Sequence, residues 1–260
     1  QMIKVTPKKK LGQHFLVDLN IAKKISETLK YKNYNDVLEI GPGMGVLTKF
    51  ILQKTIPYVV ELDIESVKYL RSKFPELKER IICDDFLKID IKTLFKKPIA
   101  VIGNFPYNIS SQIVFKVIEN RDIITFFSGM FQKEVAERIC EPPGSKKYGI
   151  ISVLCQIYFS TKFLFSVSSS VFNPKPKVSS AVIQMIRKED LIIDFNQKLL
   201  FTIVKTSFQQ RRKTLRNSLK KLSLPKIITE DSIFDVRPES LSCDAFVKLT
   251  KMIENVKLSN

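Results

Sequence analysis

A chain of 260 residues that is 44% hydrophobic is long enough to bury one sizeable core, or one core with a small satellite, and this excludes disorder as its main state. Its 43 Lys and Arg against 26 Asp and Glu give a formal charge of +17, which favours a polyanionic partner. A single histidine, His14, leaves no material for a histidine-built zinc site or a Ser/His/Asp triad, and Cys83, Cys140, Cys155 and Cys243 lack paired metal-ligand spacing and read as free thiols in a reducing compartment.

In chain order, Lys4, Lys8, Lys9 and Lys10 come before any acidic residue, and with no apolar run behind them they do not read as a secretory signal. Helices are predicted over 19–29, 46–53, 65–74, 111–119, 133–139 and 150–159. Strands are predicted over 37–40, 58–62, 81–83, 99–102, 124–127, 163–167 and 180–186. Short apolar runs ending in Gly, Asp or Asn, alternating with helical periods, predict a doubly wound α/β domain with a largely parallel seven-stranded sheet. Residues 148–172 are apolar except for Lys162, but their Ser, Thr and Gln content argues for buried helix and strand, so no membrane association is expected. Beyond Arg187 the segments 195–207, 210–221 and 245–254 read as helical, which predicts a small all-helical domain over 188–260 after a first domain over 1–187. Two stretches hold no acidic residue: 142–188 carries seven Lys or Arg and 195–229 carries nine. Such asymmetry suggests nucleic acid on one face and a separate small-molecule pocket.

The pocket is expected where VLEIGPGMG (37–45) runs from a buried strand into a glycine-rich turn, because Gly41 and its neighbours let a ligand approach the backbone. Glu61, at the end of the second strand in VVELD, is set to accept hydrogen bonds from ribose hydroxyls. The spacing is GxGxG, and the GxGxxG form favoured by pyrophosphate cofactors is absent. That suits a nucleoside with an amino-acid tail such as S-adenosylmethionine, and Asp85 adds a carboxyl for the exocyclic amine of its adenine. A nicotinamide oxidoreductase stays open as an alternative.

The fourth strand ends in IGNFPYN (102–108), at the carboxyl edge where α/β ligand sites form. An exocyclic amine on an aromatic base is a poor nucleophile, so a catalyst must favour its pyramidal transition state. The Asn104 amide oxygen and a main-chain carbonyl near Phe105 can accept its two N–H bonds. Pro106 fixes the backbone and brings no competing N–H, and Tyr107 offers a flat face for the base.

With LGQHFL (11–16), DDFL, NFPYNIS, FQKEVAERI and VFNPKPKVSSAV (171–182) added to these motifs, the chain closely resembles the KsgA/Dim1 family of small-subunit ribosomal RNA adenine dimethyltransferases. The likeness covers nearly the whole first domain, and the helical tail fits more loosely. It implies a Rossmann-like class I methyltransferase domain over 1–187 that binds S-adenosylmethionine, and a C-terminal helical domain over 188–260 that assists rRNA binding. It implies cofactor contacts from His14, Leu16, Gly41, Glu61, Asp85 and Asn104, and makes Phe172 a second aromatic closing on the flipped adenine opposite Tyr107. His14 departs from the commonest family form, which has Asn there.

The implied reaction puts two methyl groups on each of two adjacent adenosines in the loop of the 3′-terminal hairpin of small-subunit rRNA, within an immature 30S particle. A cytoplasmic monomer is expected, with Lys175, Lys177, Arg211, Arg212, Lys213 and Arg216 holding RNA phosphates. The alternatives are a large-subunit rRNA adenine methyltransferase of the macrolide-resistance type and a chiefly noncatalytic ribosome-assembly factor.

Overall fold

The computed structural model describes residues 5–258, and Lys4 lies outside them. The strands are β1 (Phe15–Leu16), β2 (Asp36–Ile40), β3 (Tyr58–Val60), β4 (Ile81–Ile82), β5 (Ile99–Asn104), β6 (Ile124–Gln132), β7 (Phe159–Val167), β8 (Phe172–Asn173) and β9 (Ser180–Arg187). The helices are α1 (Leu19–Ser26), α2 (Thr48–Ile51), α3 (Ile64–Lys73), α4 (Ile91–Leu94), α5 (Ser110–Glu119), α6 (Lys133–Cys140), α7 (Ile150–Tyr158), α8 (Gln197–Gln209), α9 (Leu215–Ser218), α10 (Lys226–Thr229) and α11 (Cys243–Leu258). Two compact units result: the chain up to Ala136 with Ser160–Arg187, and Glu137–Phe159 with the chain from Lys188 on.

In the first unit seven strands form one sheet in the order β4-β3-β2-β5-β6-β9-β7. β2, β3, β4, β5 and β6 pair in parallel, whereas β9 runs antiparallel to β6. Fully buried β5, reading IAVIG, carries the near-continuous apolar run of a strand covered on both faces. Helices α1 and α4 start where short polar side chains satisfy free N–H groups: Asp18 accepts from Asn20 and Ile21 at α1, and Asp90 accepts from Lys92 and Thr93 at α4. The chain passes from β2 through β3 to β4 on one side, then returns to place β5 on the other side of β2. This reversal opens a crevice at the carboxyl ends of β2 and β5, where Ile40 pairs with Gly103.

A second, two-stranded sheet pairs β1 with β8, with Leu16 opposite Phe172. Two residues per strand are too short for any periodic pattern to show in sequence. The N-terminal segment is thereby tied to the segment before β9.

The second unit differs from a single cut after residue 187, because 137–159 also belong to it. The Tyr148 hydroxyl donates to the Leu241 carbonyl at 2.8 Å, and its ring meets Phe208 at 5.9 Å, which in turn meets Phe246 at 5.9 Å. The apolar run at 148–172 resolves into α7 and β7, and no helix among the described residues is long and apolar enough to cross a membrane. The helix expected over 210–221 is broken into α9 and a 3-10 turn at Lys220–Leu222. Gln210 leaves helical geometry, and only Leu215, Ser218 and Leu219 of this stretch are buried, too few to hold a continuous helix.

Candidate active site

The crevice at the β2/β5 reversal is a pocket lined by residues 11–15, 40–43, 60–62, 84–87 and 104–109, apart from Pro42. Gly41 leaves β2 at φ +64°, a left-handed conformation suited to glycine, and a Cβ there would meet nothing nearer than Pro106 Cδ at 4.0 Å. The space above this backbone is therefore open to a ligand. Across it, Glu61 is 5% exposed, and its two oxygens accept the main-chain N–H groups of Gly43 (3.0 Å) and Asp63 (2.9 Å). Burial raises the Glu61 pKa, and these two bonds oppose the rise. Each oxygen keeps a further lone pair for a hydroxyl donor from the pocket.

Beneath the glycine turn, Glu39 is 1% exposed, and burial pushes its pKa up to about 8. The Thr48 hydroxyl donates to its Oε2 at 2.6 Å. Sequence reading had given Glu39 no role, since one carboxyl in a buried strand carries no spacing signal.

Asp85 sits in the turn after β4, where its Oδ1 accepts the Leu87 N–H at 2.9 Å. Asp85 and Phe86 both line the pocket. Across the ends of β4, β3 and β2 the pocket thus carries Asp85, then Glu61, then the open Gly41 backbone, a series that fits a nucleoside with a short charged tail, so the residues present suit S-adenosylmethionine.

At the end of β5 the Asn104 side-chain N–H donates to the His14 carbonyl at 3.0 Å. A carbonyl can only accept, which fixes the amide orientation and leaves Asn104 Oδ1 for a donor in the pocket. Phe105 turns inward, 1% exposed, with its ring stacked on Phe127 at 4.9 Å and near Phe131 at 4.8 Å. What it can offer a substrate is its main chain. Pro106 and Tyr107 both line the pocket.

His14 touches three parts of the site. Its carbonyl holds Asn104, its ring stacks on Tyr107 with centroids 5.1 Å apart, and its Nδ1 donates to the Pro174 carbonyl at 2.8 Å. The last contact places a proton on Nδ1, so a neutral ring presents Nε2 as an acceptor.

Two of the expected site residues lie outside the main pocket's lining. Phe172 is 4% exposed in a core cluster with Leu16, Ala22 and Val182, so the ring in contact with Tyr107 is His14 and Phe172 does not line the main pocket. Its pairing opposite Leu16 turns it inward, where an aromatic ring buries the most apolar surface. Leu16 is likewise buried and borders only a small recess beside the main pocket, shared with Gly41, Gly43 and Asn104.

The basic residues also divide. In the second unit Arg211 donates to the carbonyls of Lys146 and Tyr148 and pairs with Glu239, while Arg216 pairs with Asp235 and donates to the Thr229 carbonyl. Both are engaged within that unit, whereas Arg212 and Lys213 are exposed there and Lys175 and Lys177 are exposed in the first unit.

Sequence reading missed Ser180, whose buried hydroxyl lies 2.5 Å from the Tyr107 hydroxyl. Burial pushes the Tyr107 pKa up, with the Ser180 bond opposing it. We expect Tyr107→Phe to lower kcat/KM about tenfold by freeing the ring, and Ser180→Ala to do the same, while the double variant does no worse than either. Losses that multiply would show the two groups acting separately.

The sequence profile of the family described as Ribosomal RNA adenine dimethylase matches residues 5–245. The chain is 60% identical, over 97% of its length and 98% of the relative's, to a Ribosomal RNA small subunit methyltransferase A of Flavobacterium johnsoniae. It is 54% identical, over 96% and 90%, to the protein of the same name from Phocaeicola vulgatus. Among solved structures it is similar to a dimethyladenosine transferase from Plasmodium falciparum, with a TM-score of 0.80, 25% identity, and coverage of 93% of this chain and 98% of that one. A 23S rRNA methyltransferase, ErmE, shares the fold at a TM-score of 0.70 and 24% identity, covering 91% and 99%.

Proposed function

The chain belongs to the ribosomal RNA adenine dimethylase family, and we propose that it methylates two adjacent adenosines in the loop of the 3′-terminal hairpin of small-subunit rRNA, in an immature 30S particle. It is an S-adenosylmethionine-dependent rRNA adenine dimethyltransferase. The observation that carries the site reading is the Asn104 amide, oriented by the His14 carbonyl so that its oxygen is left for an amine donor.

S-Adenosylmethionine, when bound, supplies a methyl group made electrophilic by its sulfonium. In our reading Glu61 holds the ribose hydroxyls, Asp85 accepts the 6-amine of the cofactor adenine, and the glycine turn leaves room for the tail. Asn104 Oδ1 and the main-chain carbonyl near Phe105 accept the two N–H bonds of the target amine, which draws the nitrogen lone pair out of conjugation and toward the methyl. Pro106 keeps competing N–H donors away from those acceptors, and Tyr107 stacks the flipped base. Methylation acidifies the nitrogen, so its proton leaves to water without a strong base. A loop adenine costs less to extrude than a paired one.

We assign phosphate contact to the exposed Lys175, Lys177, Arg212 and Lys213, and take the enzyme to work as a monomer in the cytoplasm. Four phosphate contacts predict that log Kd for the rRNA target changes with log salt with a slope of about 3. A flat response in a filter-binding titration would remove these residues from RNA contact. The test of the whole reading is to offer purified small and large ribosomal subunits with labelled S-adenosylmethionine. Label should enter small subunits from cells lacking this enzyme, and label confined to large subunits would overturn it.

A further inference from the structure

Lys116, on the second turn of α5, has no part in the chemistry above, and the family motifs quoted for this chain do not include it. Its ammonium donates to the carbonyls of Leu87 (2.9 Å) and Ile89 (2.6 Å) and lies 5.4 Å from the centre of the Phe86 ring. All three contacts fall on one short turn, 84–89, which carries Asp85. The turn's own hydrogen bonds are all local: the Asp84 carboxylate accepts the Asp85 N–H, the Asp85 carboxylate accepts the Leu87 N–H, and the Asp85 carbonyl accepts the N–H groups of Lys88 and Ile89.

We propose that Lys116 is a positioning residue for the adenine end of the cofactor site, clamping the 84–89 turn so that Asp85 and Phe86 face the pocket in one arrangement. The geometry favours a clamp over a solvated surface lysine. Two main-chain carbonyls two residues apart are gathered by one ammonium, which also lies over the aromatic ring of Phe86 just before them. Lys116 is only partly exposed, and burial lowers its pKa against the pull of Asp85, Glu119, Asp90 and Asp84. An ammonium held at such a desolvation cost must return it through the contacts it makes. Phe86 is 4% exposed beside Asp85 on the pocket wall, so a turn that loosens shifts the apolar and the polar recognition of adenine together.

The proposal rests on Asp85 as the acceptor of the adenine 6-amine, and the experiment separates the two. Calorimetry measures binding of S-adenosylhomocysteine and of S-inosylhomocysteine, which carries a carbonyl in place of that amine, to the full-length protein. The unaltered enzyme is expected to prefer the adenosyl form about 100-fold. Lys116→Met is expected to cut this preference below about tenfold and to raise KM for S-adenosylmethionine about tenfold, with kcat falling less than about twofold. Lys116→Arg, whose guanidinium can reach both carbonyls, restores both values. Loss of affinity for both ligands by one factor in Lys116→Met, or failure of Lys116→Arg to restore the preference in a folded protein, would overturn the clamp. A preference that survives Asp85→Asn overturns the reading of Asp85, whereas one lost in Asp85→Asn but kept in Lys116→Met overturns the role of Lys116 alone.

Discussion

Asn104→Ala is expected to lower methyl transfer about a thousandfold while changing the affinity for immature small subunits less than about threefold. The size follows from where the side chain acts. A planar base amine has no lone pair to give until its two N–H bonds are drawn out of the ring plane, and in the proposed reaction Asn104 Oδ1 is one of the two acceptors that do this. The amide cannot turn over to substitute its nitrogen, because Nδ2 is committed to the His14 carbonyl at 3.0 Å. Asn104→Asp is a sharper probe than alanine. An ionised carboxylate would bring an oxygen against the His14 carbonyl with no proton between them, so the loop shifts even though an acceptor remains. Both variants should therefore fall by comparable factors in a labelled-methyl assay. If the aspartate variant kept most activity, orientation by His14 would be irrelevant. Equal loss of subunit binding in Asn104→Ala would show the residue to be an RNA contact and not a catalytic one.

The parts of this site that the sequence made legible are those in which local spacing and function coincide. Gly41 and Glu61 directly follow β2 and β3, Asn104 closes β5 and Asp85 lies in the turn after β4, so recognising strands also located the residues at their carboxyl ends. The doubly wound sheet was readable for the same reason. What escaped depends on residues far apart in the chain. The ring of His14 meets Tyr107 and Pro174, and Leu16 pairs with Phe172, through a two-residue ladder that leaves no periodicity. The role of Phe172 at the target base comes from the likeness to a known family alone, and its place in the core beside Leu16 had no signal in the sequence. Ser180 was hidden because a serine at the head of a strand looks like a turn residue until the Tyr107 hydroxyl is found beside it. The basic stretches were legible as charge, but which arginines are already engaged is visible only in the hydrogen bonds of Arg211 and Arg216.

Gly129→Ala is expected to cost about 3 kcal/mol or more of stability and so to lower the melting temperature by roughly 10 °C, at a position with no contact to any ligand. Gly129 lies on β6 opposite Gly103 of β5, one residue before Asn104. Its φ of +155° is one that L side chains rarely adopt, and a Cβ there would fall 2.2 Å from the Gly103 carbonyl oxygen and 2.5 Å from Phe105 Cε2. Neither neighbour can give way cheaply. The carbonyl belongs to a strand buried on both faces, and the Phe105 ring is stacked on Phe127 and packed at a tilt against Phe131. The two glycines thus make the space into which Phe105 turns, and an inward Phe105 ring leaves its main chain, with Asn104 beside it, at the pocket edge. Activity measured well below the melting transition should consequently fall further than the unfolded fraction explains. Shortening the ring in Gly129→Ala/Phe105→Leu removes one of the two clashes and leaves the strand carbonyl, so it should recover only part of the lost stability. Full recovery would place the whole cost on the ring, and a Gly129→Ala protein melting like the unaltered enzyme would mean that the reaction loop does not depend on this packing.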